Sequence, residues 1–241
     1  MHRHDLVYLQ AHESYEFMNA SLPLSVRAAV EQMITAQQPL TVCRQDSDTV
    51  TKVAASYIED GRKYRLALTL PKPPAVITSP LRLEALVPQL PKALQTRAQQ
   101  FIARCADLES DVYVYGSFAN QYFTGLPFIT PTSDLDILIV AHRDNISPIL
   151  LEVAAFGRFS EAALGLKIDG EIRLQGRDDI SFNELSHAMI FDIPTVLVKT
   201  LVDIRLQTID VLLGWNTDEY EHFIRSNRQT FSTATGSLAT D

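Results

Sequence analysis

The sequence predicts an α+β protein, α/β in the broad sense: a small N-terminal antiparallel-sheet domain followed by a larger C-terminal mixed sheet with helices. Three observations predict it. Extended runs at 50–58 and 64–70 flank Asp60-Gly61, a pair that favours a hairpin turn. Four residues, PKPP at 71–74, interrupt the pattern, since clustered prolines do not fit a central strand or a helix interior. Beyond residue 110, strand-like and helix-like segments alternate, as in sheets covered by helices.

Taken in order, 4–10 reads as a short strand. The stretch 24–36 places Leu24, Ala28, Ala29, Met33 and Ile34 at helical spacing, and Pro23 suits its first turn. Residues 40–44, 50–58 and 64–70 read as three strands with turns at Asp46-Ser47-Asp48 and Asp60-Gly61-Arg62. The domain boundary is placed near 71–80. That gives an N-terminal domain over 1–75, a second domain over 76–225 and a Ser/Thr-rich tail over 226–241 expected to be disordered. Inside the second domain the expected elements are helices at 81–90 and 92–106, a strand at 112–115 and a short helix at 117–124. A loop at 124–133 and a strand at 135–140 follow, then a helix at 146–164 and a strand at 166–174. A helix at 181–190 and a strand at 195–201 complete the set. The stretch 204–213 fits strand and helix equally.

Composition bounds the function. Hydrophobic residues make up 46% and charged residues 21%, which supports a packed core rather than a disordered chain. No apolar run reaches the roughly 20 residues that span a bilayer, and His12, Glu13 and Glu16 break up any leader-like stretch at the N-terminus. Cys43 and Cys105 lack metal-ligand spacing and read as reduced thiols of a cytoplasmic protein. The net charge of −8 is unevenly spread: residues 1–110 carry +1 and residues 111–241 carry −9. An acidic second half opposes a nucleic-acid track, which needs basic residues along a phosphate backbone. Small phosphorylated substrates and protein substrates remain open.

The chemistry concentrates in DVYVYGSFANQYFTGLPFITPTSDLDILIV at 111–140. Asp134 and Asp136 stand two apart at the start of an apolar strand, so both side chains point to one face. Crowded carboxylates repel, and a divalent cation relieves that repulsion. Gly116-Ser117 follows the preceding strand at a point where a helix N-terminus can receive phosphate oxygens. The combination suits phosphoryl or nucleotidyl transfer. A third carboxylate is expected from the next strand, with Asp169 preferred over Glu171. Asp169-Gly170 also reads as an ordinary hairpin turn. Lys199, Arg173 and Arg177 are candidate phosphate partners or plain surface charges. His4 and His187 are left structural, and Ser117 lacks the Gly-x-Ser-x-Gly setting of a hydrolase nucleophile.

Gly116-Ser117 followed by Asp134-Leu135-Asp136 resembles the nucleotidyltransferase superfamily, with a longer spacer at 118–133 than in minimal members. The string YGSFANQYFTGLPFITPTSDLDILI, with Arg3-His4-Asp5-Leu6 and Asp169-Gly170-Glu171, is similar to the malonate decarboxylase holo-acyl-carrier-protein synthases, also called phosphoribosyl-dephospho-CoA transferases. The resemblance implies a C-terminal sheet of nucleotidyltransferase type. It implies triphosphoribosyl-dephospho-CoA as donor, a serine of the apo acyl carrier subunit as acceptor, and pyrophosphate as leaving group. It gives Asp134 and Asp136 to two magnesium ions, has Asp169, with Glu171 second, complete the metal site or receive the serine proton, and gives Gly116 and Ser117 to the departing phosphates. No nucleic acid or membrane is implied. Arg62, Lys63 and Arg65 are a candidate basic patch for an acidic carrier, or a solvated turn. The alternatives are an ATP-dependent adenylyltransferase with another acceptor and a non-catalytic nucleotide-binding module.

Overall fold

The computed structural model describes residues 1–46 and 49–214, so Ser47 and Asp48 of the first expected turn and the whole 226–241 tail lie outside the described residues. The chain divides into two compact units. The first comprises Met1–Pro80, Tyr115–Pro131 and Thr200–Asp203. The second comprises Leu81–Val114, Thr132–Lys199 and the described residues from Ile204 to Gly214.

The first unit is built on a six-stranded antiparallel sheet. Its strands are β1 (Leu6–Val7), β2 (Glu16–Phe17), β3 (Leu40–Val42), β4 (Thr51–Glu59), β5 (Arg62–Leu70) and β6 (Ile77–Thr78), in the order β2-β5-β4-β3-β1-β6. The β4–β5 hairpin closes where the sequence predicts. Asp60 and Gly61 both take positive φ, +50° and +73°, the geometry whose twist matches the flanking strands. Helix α1 (Leu24–Thr35) turns Val26, Val30 and Met33 inward. They join Val7, Leu40, Val53 and Leu68 in the core. The expected stripe is rotated from this one: Leu24 is 83% exposed, because the buried face is set by the β-branched pair Val26 and Val30. The first strand is also shorter than expected, two residues instead of seven.

The second unit carries β7 (Leu81–Arg82), α2 (Leu83–Leu86), α3 (Lys92–Asp107) and β8 (Asp111–Val114). Helix α4 (Gly116–Thr124) follows in the chain and belongs to the first unit. The second unit resumes with β9 (Leu135–Ala141), α5 (Ile146–Leu164), β10 (Ile168–Leu174), β11 (Asp178–Ser181), α6 (Phe182–Phe191), β12 (Thr195–Lys199), β13 (Ile204–Thr208) and α7 (Ile209–Leu213). Its seven strands run in the order β13-β12-β11-β10-β9-β8-β7. All neighbours are antiparallel except β9 and β10, which α5 joins as a crossover. The sheet is therefore mixed. Phe101 of α3 and Phe156 of α5 stack with ring centroids 4.6 Å apart, locking the two helices together.

Two further segments differ from the pattern that the sequence predicts. Residues 81–90 form a two-residue strand, one helical turn and a short 3-10 turn rather than a helix, since Pro88 cuts the segment. Asp169-Gly170 lies inside β10, as its second and third residues, and is not a hairpin turn. Gly170 is the residue that lets β9 and β10 approach. It sits at φ +147° opposite Ile137, and an added Cβ would collide with the Ile137 carbonyl oxygen and lie 2.9 Å from its nitrogen. Backbone cannot yield as a side chain does. Gly170→Ala is therefore expected to lower unfolding free energy by about 3 kcal/mol or more. Urea unfolding measures it, and a loss below ~1 kcal/mol would mean that the two strands separate easily.

Among the described residues no helix is long and apolar enough to cross a membrane. Both cysteines are free thiols. Burial pushes the Cys105 thiol up to about 12, so almost none is thiolate at pH 8. A thiol reagent is expected to take one equivalent from the native protein, at half-buried Cys43, and two after denaturation. Rapid uptake of two by the native protein would contradict the packing around α3.

Candidate active site

The acids fall where strand register brings them together. In the parallel β9/β10 pair Asp136 stands directly opposite Asp169, and Leu138 opposite Glu171. Facing residues of adjacent strands share a sheet face at a strand spacing of about 4.8 Å. Asp136 and Asp169 therefore occupy paired positions on one sheet face, although 33 positions separate them in the chain. Asp134 precedes the strand by one residue, and Asp134 and Asp136 are half-buried. The other face of β9, Leu135, Ile137 and Ile139, is buried completely and anchors the strand.

Asp169 is exposed but not loose. Ser181 accepts a hydrogen bond from the Glu184 amide at 3.3 Å and so fixes where α6 begins. That start places Asn183, whose side-chain amide donates to Asp169 Oδ1 at 3.0 Å. Nothing in the sequence flags Asn183, since its partner is 14 residues away and on another element.

Glu171 has a different environment. It is 5% exposed, and Lys199 Nζ lies 2.9 Å from its Oε1. Next to it Arg173 and Asp179 form a buried two-pronged ion pair, Nε to Oδ1 at 2.6 Å and Nη2 to Oδ2 at 2.9 Å. Ligand oxygens of Glu171 and Asp179 approach within 4.8 Å. The result is a row of alternating charges across β10, β11 and β12. Arg173 is thus neither a surface charge nor a free phosphate partner. Arg177, by contrast, is exposed in the β10–β11 turn, 3.8 Å from Asp178. Asp178 is buried and accepts from Arg205 at 3.0 Å.

Gly116 and Ser117 open α4, in the first unit. Tyr115 is extended and Gly116 takes φ +69°, a sharp bend that a side chain would resist. His4 stacks on Tyr115, ring centroids 4.0 Å apart at 27°, so the N-terminal segment braces the residue before the bend. Lys63 Nζ donates to Ser117 Oγ at 3.1 Å, which brings a cation to the N-terminus of the helix. The sequence showed the Arg62-Lys63-Tyr64-Arg65 run but not its target. The alternation of β5, which puts Lys63 and Arg65 on one face, is the signal that separates them from Arg62. The loop after α4 is tied back as well: Ile129 donates its amide to Gln121 Oε1 at 3.0 Å, and Phe128 is 1% exposed.

Comparison with known proteins identifies the class first. A family model described as the phosphoribosyl-dephospho-CoA transferase MdcG C-terminal domain matches residues 81–209, more than half of the chain. A phosphoribosyl-dephospho-CoA transferase of Xanthomonas axonopodis pv. citri is 29% identical over 209 residues, covering 85% of this chain and 92% of the relative. One from Xanthomonas euvesicatoria pv. vesicatoria is 30% identical over 208 residues with the same coverage. No solved structure matches. The protein is a transferase enzyme. It belongs to the phosphoribosyl-dephospho-CoA transferase family.

Proposed function

We propose that the protein transfers the phosphoribosyl-dephospho-CoA group of triphosphoribosyl-dephospho-CoA to a serine of the apo acyl carrier subunit of malonate decarboxylase. The serine oxygen attacks the phosphorus next to the ribose and forms a phosphodiester. The bond to the outer two phosphates breaks, and pyrophosphate leaves with its electron pair. The serine proton passes to a neighbouring base. The observation that carries this reading, beside family membership, is the register of Asp136 against Asp169 on a strand pair that begins next to Asp134.

Three carboxylates are hard oxygen donors, which fit magnesium. Asp134, Asp136 and Asp169 would hold it, and two ions there would neutralise phosphate charge and lower the pKa of the attacking hydroxyl. Asp169 is preferred to Glu171 as the third acid because Lys199 already compensates Glu171. Asp169 retains an oxygen beyond the one that Asn183 engages. Gly116 and Ser117 would receive the departing phosphates, with Lys63 supplying positive charge beside the Ser117 hydroxyl.

The test is the intact mass of the purified carrier subunit after incubation with this protein, magnesium and triphosphoribosyl-dephospho-CoA, with ATP in parallel. A gain equal to the donor minus pyrophosphate is expected. An adenylate-sized gain with ATP alone, or no gain with either nucleotide, overturns the reading.

A further inference from the structure

A second feature of the C-terminal unit touches the acids described above only through Asn183. Between α5 and α6, on the helical side of the sheet, lies a cleft of about 410 Å³. That is within the roughly 300–1,000 Å³ of small-molecule sites. Its floor is apolar: Leu150, Val153, Ile168 and Ile190 are all buried. Its rim is not. Arg158 and Lys167 line it from α5 and from the residue before β10, and among the described residues neither side chain has a hydrogen bond or ion pair. His187 faces the same space, with Ser186 and Asn183 beside it and Glu161 as the one acid.

Gly157 lines the cleft from the middle of α5. A glycine there weakens the helix by about 1 kcal/mol relative to alanine. Crowding does not require it, because an added Cβ would meet only Ile168 Cβ, at an ordinary 3.9 Å. The residue keeps open space that a side chain would fill. One side chain joins this space to the acids: Asn183 both lines the cleft and donates to Asp169.

We propose that this cleft holds the pantetheine diphosphate arm of the donor; the assignment rests on the donor named above. The chemistry matches part by part. The gem-dimethyl and methylene segments cover the apolar floor, the arm's two amides meet Asn183, Ser186 and Glu161, and the diphosphate sits between Arg158 and Lys167. ATP has phosphates and adenosine but no such arm, so the cleft selects the donor against ATP. Occupancy also steadies Asn183 and, through it, Asp169, which couples recognition of the arm to the acid.

The test is calorimetric titration of the full chain with dephospho-CoA, which carries the arm but not the triphosphate, and with ATP for comparison. In the doubly substituted Arg158→Ala/Lys167→Ala chain, dephospho-CoA affinity is expected to fall at least tenfold while ATP affinity stays within twofold. Gly157→Leu should do the same by filling the space, with no decrease in melting temperature, since leucine strengthens the helix. Equal binding of dephospho-CoA by parent and variants overturns the assignment. So does failure of the parent to bind it, or an equal loss of ATP affinity. Failure of the transfer reading looks different: no mass gain on the carrier, with cleft-dependent binding of dephospho-CoA intact.

Discussion

Asp136→Ala is expected to reduce turnover by about 10³-fold, or about 4 kcal/mol of transition-state stabilisation, without loss of fold. The position explains both halves of the statement. Asp136 is half-buried as the second residue of β9, while the strand is held by Leu135, Ile137 and Ile139 on its opposite face. Removing one carboxylate leaves those contacts and every backbone hydrogen bond of the β9–β10 pair in place. What is removed is one acid of the proposed site, which on that proposal leaves the charge of the phosphates and of the developing alkoxide less compensated. The carrier mass assay run as a time course gives the rate, and thermal melting tests the fold. Near-normal rates in both Asp136→Ala and Asp134→Ala would remove the site from this strand altogether.

The largest stability effect is expected at Arg173. Its guanidinium and the Asp179 carboxylate are 5% and 2% exposed. Arg173→Leu removes the two-pronged partner of a buried carboxylate and should cost about 3–5 kcal/mol; Asp179→Leu removes that of the guanidinium and should cost a similar amount. The double replacement should be much less harmful than the sum, because no buried charge is left without its opposite. Denaturant unfolding of the three variants checks it. If either single change costs under ~1 kcal/mol, the pair is not holding β10 to β11 as described.

Much of the fold was legible because it is local. The β4–β5 hairpin follows from Asp60-Gly61 between alternating strands, and α3 and α5 follow from apolar spacing. The stretch 204–213, equally strand and helix by pattern, is both in succession: β13 and then α7. Strand β11 was missed for a physical reason. Its Asp178 and Asp179 look like a solvated turn until Arg205 and Arg173 neutralise them, and those partners come from other strands. The same rule divides the candidate site. Asp134, Asp136 and the Gly-Ser bend announce themselves through spacing. The contacts that qualify them, Lys63 at Ser117, Asn183 at Asp169 and Lys199 at Glu171, depend on tertiary proximity, which no spacing encodes.

The single parallel pair has a consequence for how the protein acquires activity. The hairpins β10–β11 and β12–β13 can zip from short turns, whereas β9 meets β10 only after the whole of α5 has crossed over the sheet. Closing a connection of that length costs chain entropy before any pairing is gained, so such contacts form late. The facing carboxylates also repel each other as the strands come together. If the proposed acids are the site, competence to react therefore waits on a pairing that spans 33 positions of the chain and is expected to form after the hairpins beside it.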